Sequence, residues 1–85
     1  MANLRQDLPY RELTHAIEKA GGVACEEIPG IFFPEDYPDP ETRAIAIKTA
    51  KALCAACPVK TECFTYAVER GERYGIWAGT LPHER

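Results

Sequence analysis

The sequence predicts an all-α protein, a small single domain of three to four short helices over residues 1–85. Three observations support this prediction. Apolar residues recur at helical spacing in separate segments, glycine and proline fall at the ends of those segments, and no segment shows the period-two alternation of a half-buried strand. A chain of this length buries little apolar surface, so such domains often need a disulfide, a metal or a partner for stability.

The first helix is predicted in the N-terminal segment, residues 1–22, starting after Pro9. Four apolar residues at i, i+3, i+4 and i+7 share one face of this helix, and two successive glycines stop it: Leu13, Ala16, Ile17 and Ala20, then Gly21 and Gly22. Residues 23–38 contain three prolines and are predicted to form a loop.

Residues 39–71 are predicted to form two further helices. Asp39 suits an N-cap, because Pro40 follows it in the first helical position. This helix should end near Leu53 or the next residue, and its successor should begin with Pro58.

The third helix is expected to stop at Gly71, a residue type that commonly ends helices. Residues 72–85 should then form a tight turn, YGIWAGT, and a C-terminal end. Thr80 could cap a final helical turn there.

Charge is uneven along the chain, which has a net charge of −3. Residues 1–41 carry nine acids and three bases, whereas residues 42–85 carry four acids and seven bases. Proteins that bind DNA on their own usually have a dense basic stripe, and none is present. The N-terminus lacks the apolar stretch of a secretory signal, and no run approaches the roughly 20 apolar residues of a membrane span. A cytoplasmic protein with reduced thiols is therefore expected.

Four cysteines follow the pattern C-x28-C-x2-C-x5-C: Cys25, Cys54, Cys57 and Cys63. The predicted helices place the second cysteine at a helix end and the third at the next helix start, so both sulfurs can face one point. The fourth lies six residues further on and can return to the same side, and the upstream loop cysteine would close the site. Such a set of thiolates can hold zinc or an iron–sulfur cluster.

The spacing leaves several readings open: a cluster, structural zinc, a disulfide or a redox-active C-x2-C. Structural zinc usually uses two paired C-x2-C knuckles, and here there is one. The Cys57-Pro58 pair is similar to the C-P ending of ferredoxin cluster-binding runs. His15 and His83 lie outside the cysteine run and are expected on the surface. A redox-active C-x2-C usually starts a helix beside a sheet, and no sheet is predicted.

The ordered set of features from Cys25 to Arg85 resembles the WhiB-like family of actinobacterial transcription regulators. An FFP segment follows the first cysteine, C-x2-C-P-V-K and the fourth cysteine come next, and then GIWAG and TLPHER. Two departures stand out. Ala78 occupies a position where the family's turn usually has glycine, and the basic DNA-contacting tail common after that turn does not follow Arg85.

The resemblance implies helices wrapped around a 4Fe–4S cluster, with zinc as the alternative, held by Cys25, Cys54, Cys57 and Cys63. It implies a non-enzymatic regulator, without a membrane or small-molecule substrate, that responds to nitric oxide and oxygen. As a monomer it would form a heterodimer with the C-terminal domain of the primary sigma factor in RNA polymerase and reach promoter DNA indirectly. If Arg85 is the natural end, it could act as an inhibitor or competitor of tailed relatives. The alternative function is a zinc-stabilised interaction module without a redox role.

The surface that docks on the sigma factor is expected around the tryptophan turn and the FFP segment. Trp is enriched among binding hot spots, although a core position is the alternative for Trp77. Adjacent aromatics in a loop cannot easily both point inward, so at least one of Phe32 and Phe33 should face a partner. The expected contact residues are Trp77, Phe32, Phe33, Pro34, Gly75, Ile76 and Gly79.

Overall fold

A computed structural model describes residues 4–85, with side chains from Leu8 onward. It contains four helices, α1 (Leu4–Ala20), α2 (Ala24–Glu27), α3 (Pro40–Ala55) and α4 (Lys60–Arg70), and three 3-10 turns (Pro29–Phe32, Pro34–Asp36 and Pro82–Glu84). Within this part of the chain the only β-type pairing is an isolated bridge between Trp77 and Thr80. The predicted all-α class is therefore confirmed. No helix in the described part is long and apolar enough to cross a membrane.

Helix α1 begins at Leu4, earlier than predicted, and contains Pro9 in its second turn. A proline inside a helix removes one backbone hydrogen bond. Here the buried ring shares a groove with Thr65 of α4, so packing offsets that loss. The helix ends before Gly21, whose φ of 79° is the left-handed conformation expected at a helix stop.

Residues 23–38 are more regular than the predicted loop. They form α2, which carries Cys25, and two 3-10 turns that begin at Pro29 and Pro34. Proline fixes φ near −65° and lacks an N–H, so it suits the first position of a helical turn. The prolines therefore start short turns here, whereas three prolines in one segment predict only a loop.

Helix α3 has the predicted start and ends within two residues of its predicted end. The Asp39 carboxylate accepts hydrogen bonds from the Thr42 backbone N–H at 2.9 Å and from its hydroxyl at 2.6 Å. Ala46, Ala50 and Cys54 form one buried stripe at a spacing of four residues. This stripe directs the Cys54 sulfur towards the interior.

Helix α4 begins at Lys60, two residues later than predicted, because residues 58–59 form a turn. It ends before Gly71, which has the expected left-handed φ of 65°. The predicted Thr80 cap is wrong. The last 3-10 turn is instead capped at Leu81, whose N–H donates to Glu84 Oε1 at 2.7 Å.

The interior consists of two small apolar clusters. One contains Phe32, Ala50, Cys54 and Ile76, and the other contains Leu13, Val23 and Val59, with Cys57 and Cys63 packed against it. No large side chain in the described part is fully buried. The cysteines thus lie where two thin cores meet.

Candidate metal centre and docking surface

All four cysteines line one cavity of about 240 Å³. The rest of its wall is mostly apolar and comes from every part of the fold, including Ile17 of α1 and Val59 before α4. The tryptophan turn closes it, since Trp77 and Ala78 also line it. We call this space the sulfur-lined cavity.

Short backbone connections position the sulfurs. Cys54 lies in the last turn of α3, and the Cys57 N–H donates to the Cys54 carbonyl at 3.0 Å, so both flank one tight turn. Cys63 lies in the first turn of α4, where its N–H donates to the Val59 carbonyl at 2.9 Å. Cys25 comes from α2 and lines the same cavity.

The four thiols are free in the structure, which does not support the disulfide reading. Burial raises the pKa of Cys63 to about 11, and the other three thiols add to that rise. Burial likewise raises the pKa of Cys54, and partial enclosure raises that of Cys25, although the Cys25 side chain remains exposed. These three thiols are protonated at neutral pH in the metal-free chain, so a bound metal must displace protons.

The tryptophan turn brings backbone N–H groups close to two of the sulfurs. A Cβ added at Gly79 would lie 3.5 Å from the Cys54 Cβ, and Ala78 lines the same cavity as Cys63. The backbone N–H groups of Gly79 and Ala78 oppose the rise in the pKa of Cys54 and of Cys63, respectively. The Lys60 ammonium acts on Cys54 in the same direction. Donors and positive charge of this kind stabilise metal-bound thiolates. No cysteine spacing in the sequence indicates them.

The donor set fits a metal centre with sulfur ligands. Among the side chains of residues 8–85, no three of His, Cys, Asp or Glu come close enough to hold one metal ion together. A tetrahedral zinc site would bring its sulfurs to about 3.8 Å from one another, given Zn–S bonds of about 2.3 Å. Here the four thiols surround one cavity, and four thiolates are the number of ligands that a 4Fe–4S cluster takes. His15 and His83 are exposed, as expected.

The tryptophan turn, residues 75–79, folds back on itself tightly. Trp77 and Thr80 exchange backbone hydrogen bonds of 3.1 and 2.9 Å, so that only Ala78 and Gly79 lie between them. Both of these residues have positive φ, 54° and 74°. This is the two-residue turn that favours glycine or asparagine, and Ala78 is the only non-glycine residue with positive φ in the described part.

Trp77 is half-buried and combines packing with exposure. Its ring lies 5.2 Å from that of Tyr66, centroid to centroid, and its indole N–H donates to the Tyr74 carbonyl at 2.9 Å. One part of the side chain therefore lines the sulfur-lined cavity while another part reaches solvent.

Most of the predicted docking residues are buried. Phe32 and Ile76 are each only 5% exposed, and Pro34 and Gly75 are also buried. These four residues are therefore poorly placed to contact a partner directly. Of the predicted set, the exposed or half-buried members are Phe33, at 38% exposure, Trp77 and Gly79. Of the two phenylalanines, Phe33 faces outward and Phe32 inward, so Phe33 is the one that could contact a partner.

The FFP segment and the tryptophan turn are joined directly. The Ile76 N–H donates to the Phe32 carbonyl at 2.6 Å, and the Gly75 N–H donates to Glu35 Oε2 at 2.8 Å. A Cβ added at Gly75 would lie 2.9 Å from the Phe33 ring. Phe33 and Trp77 thus lie on two segments whose backbones are hydrogen-bonded together. Glu35 provides one of these bonds, and no sequence motif indicates it.

Comparison with known proteins identifies the family. The family model described as Transcription factor WhiB matches residues 19–85. The chain therefore belongs to the WhiB family of transcription factors, as its motifs predicted.

Its curated relatives are transcriptional regulators by name. The chain is 40% identical over 63 residues to the transcriptional regulator WhiB1 of Mycobacterium tuberculosis, covering 74% of this chain and 73% of that protein. It is 40% identical to the transcriptional regulator WhiB of Streptomyces coelicolor, covering 74% of this chain and 64% of that protein. It is also 40% identical to the redox-responsive transcriptional regulator WhiB3 of Mycolicibacterium smegmatis, covering 65% of this chain and 57% of that protein. The match thus spans less than two thirds of several relatives, and no solved structure matches significantly.

Proposed function

We propose that this protein is an iron–sulfur transcription regulator that binds the C-terminal domain of the primary sigma factor. The observation that carries the proposal is the convergence of four free thiols on one cavity whose wall includes the Trp77 side chain. Occupancy of the cavity and the shape of the neighbouring surface are then physically linked. The protein would act as a regulator and not as an enzyme, in the cytoplasm, where transcription takes place.

A 4Fe–4S cluster is the group we assign to Cys25, Cys54, Cys57 and Cys63. When bound, it would supply sensitivity to nitric oxide and oxygen, in keeping with the redox-responsive name of the Mycolicibacterium relative. Four thiolates and a 2+ core sum to a charge of −2. The ammonium of Lys60 and the N–H dipoles of Ala78 and Gly79 would partly offset that charge, while the apolar wall limits access of water.

The docking surface we propose consists of Trp77 and Phe33. Both aromatic side chains reach solvent, and both rest on backbone that also forms the cavity wall. Large aromatic side chains surrounded by supporting contacts are typical binding hot spots. The protein would enter as a monomer, form a heterodimer with the sigma domain and reach promoter DNA only through RNA polymerase.

The test is purification under nitrogen followed by metal analysis and titration. We expect a brown protein with iron and sulfide in equal amounts, which binds the isolated sigma domain when loaded and much more weakly after the metal is removed. A colourless protein with stoichiometric zinc would instead support the interaction module without a redox role. A loaded protein that does not bind the sigma domain would refute the assigned partner but not the cluster.

A further inference from the structure

The Arg85 side chain donates hydrogen bonds to several backbone carbonyls. Its Nη1 donates to the Thr80 carbonyl at 2.7 Å and to the Thr80 hydroxyl at 3.3 Å. Its Nη2 donates to the carbonyls of Glu72 at 3.0 Å, Gly75 at 3.3 Å and Tyr74 at 3.4 Å, and its Nε reaches the Glu72 carbonyl at 3.3 Å. The guanidinium is thus engaged on all three nitrogens.

These carbonyls belong to residues before the tryptophan turn (Glu72 and Tyr74), at its start (Gly75) and after it (Thr80). Two of them are shared with Trp77: the Thr80 carbonyl also accepts the Trp77 backbone N–H, and the Tyr74 carbonyl also accepts its indole N–H. A single side chain therefore connects the chain before the turn to the chain after it. Arg85 fixes the same acceptors that orient Trp77.

The turn needs such support because its conformation is unfavourable. Ala78 has a φ of 54°, where the Cβ of an L-residue crowds the backbone. Left alone, this segment would favour other conformations and withdraw Ala78 and Gly79 from the cavity that the sulfurs line.

We infer that Arg85 is a positioning residue, which clamps the flanks of the tryptophan turn and so holds Ala78 in the wall of the sulfur-lined cavity and Gly79 beside Cys54. The effect of this clamp on a bound cluster rests on the proposed function. The clamp on the turn itself does not, since it is made of contacts within the chain. Lysine cannot reproduce it, because an ammonium lacks the planar fork that directs five N–H donors.

Amide hydrogen exchange on the metal-loaded chain tests the inference. In Arg85→Ala, exchange across residues 76–80 should accelerate about ten- to a hundredfold, as expected for the loss of hydrogen bonds to a charged group. Exchange in α1 and α3 should not change. The exchange rates in Arg85→Lys should lie between those of Arg85→Ala and those of the parent. Arg73→Ala is the control, since Arg73 is exposed in the same segment.

The reduction potential of a loaded cluster gives a second readout. It should fall in Arg85→Ala, because a loosened turn leaves the backbone N–H groups of Ala78 and Gly79 less well placed to stabilise the more negative reduced state. Parent-like exchange across residues 76–80 in Arg85→Ala would overturn the inference. If that variant does not load metal, the same comparison is made with Arg85→Lys, and parent-like exchange there overturns it equally. If the metal is zinc or the sigma domain does not bind, the exchange result still decides the role of Arg85.

Discussion

Ala78 stores conformational strain at the metal site. Its positive φ is tolerated because hydrogen bonds on both sides of it close the turn and because the residue itself is buried, 4% exposed. A glycine would adopt this conformation without crowding at Cβ. The strain at this one residue therefore lowers the stability of the turn that faces Cys63.

We predict that Ala78→Gly stabilises the loaded protein by about 1 kcal/mol, because removal of the left-handed strain outweighs the added chain entropy. Guanidinium unfolding under nitrogen measures this. Gly71→Ala is a matched control: it has a φ of 65° and nothing within 4 Å of an added Cβ, so it introduces the same strain without a clash. It should destabilise by a similar amount. An Ala78→Gly variant less stable than the parent would show that the strain is not significant.

Trp77→Ala should retain the cluster yet weaken sigma-domain binding by about 2–4 kcal/mol, or roughly thirty- to a thousandfold. No ligand is removed, whereas the exposed part of an aromatic anchor is lost. The measurement is a titration of loaded variants under nitrogen. Phe64→Ala, which removes an aromatic side chain 41% exposed on α4, should bind like the parent.

Two outcomes would contradict the role assigned to Trp77. A Trp77→Ala variant that loads cluster and binds like the parent would place the interface elsewhere. A variant that cannot load would show that packing against Tyr66 and the cavity dominates. In that case Trp77→Phe separates the two effects, because it keeps most of the apolar volume.

At the level of elements, α3 depends on its N-cap. The hydroxyl of Thr42 and, to a smaller extent, its backbone N–H donate hydrogen bonds to the Asp39 carboxylate. These bonds hold the pKa of Asp39 below its ordinary value of 3.8. A carboxylate with a lowered pKa in the folded state stabilises that state above the ordinary pKa and loses its effect as the pH falls through the lowered value. The cap is therefore fully effective at neutral pH and fails only in acid.

A synthetic peptide of residues 37–56 should show this titration. Its helicity by circular dichroism should fall as the pH drops below about 3.8. An Asp39→Asn peptide should lose less helicity over the same pH range, because asparagine caps helices without a charge. Glu41 is present in both peptides, so the difference between them isolates Asp39. Equal acid losses in both peptides would contradict a capping role for the Asp39 charge.

At the level of the whole molecule, a metal at the sulfur-lined cavity would join two cores that are each too small to be stable alone. The thiols line a space between the clusters around Phe32 and Leu13. The binding energy of a metal in such a domain is folding energy. The loaded and metal-free proteins should therefore differ in fold as well as in colour.

Replacing any one of the four cysteines by serine should abolish cluster retention and most helicity, as measured by visible absorbance and far-ultraviolet circular dichroism. Removal of the metal with a chelator should have the same effect. Ala52→Ser, an exposed position on α3, serves as control and should behave like the parent. Full cluster occupancy in Cys25→Ala would refute the four-ligand assignment.

The helices were largely predictable because their signals are local. Asp39 and Gly71 act on neighbouring backbone, and both have the predicted conformations. Pro9 misled the prediction because packing against α4 offsets one lost hydrogen bond.

The contacts that complete the site were not predictable, because they join distant segments. Glu35 accepts from an N–H forty residues away, and Lys51 pairs with Glu84 at 2.9 Å across 33 residues. Burial of Phe32 beside exposed Phe33 likewise depends on which side of the segment meets α3. The family motif specified the cysteines, but only the fold shows which backbone donors face them.

The position of the sole tryptophan gives the molecule an optical property. Trp77 lines the same cavity as the four sulfurs and stacks near Tyr66, so its emission depends directly on what occupies that space. An iron–sulfur chromophore absorbs through the near-ultraviolet and visible range and would quench the indole by energy transfer. Zinc, with a filled d shell, has no such absorption. Fluorescence that brightens as the protein bleaches in air would therefore report loss of the cluster in real time, with no added dye.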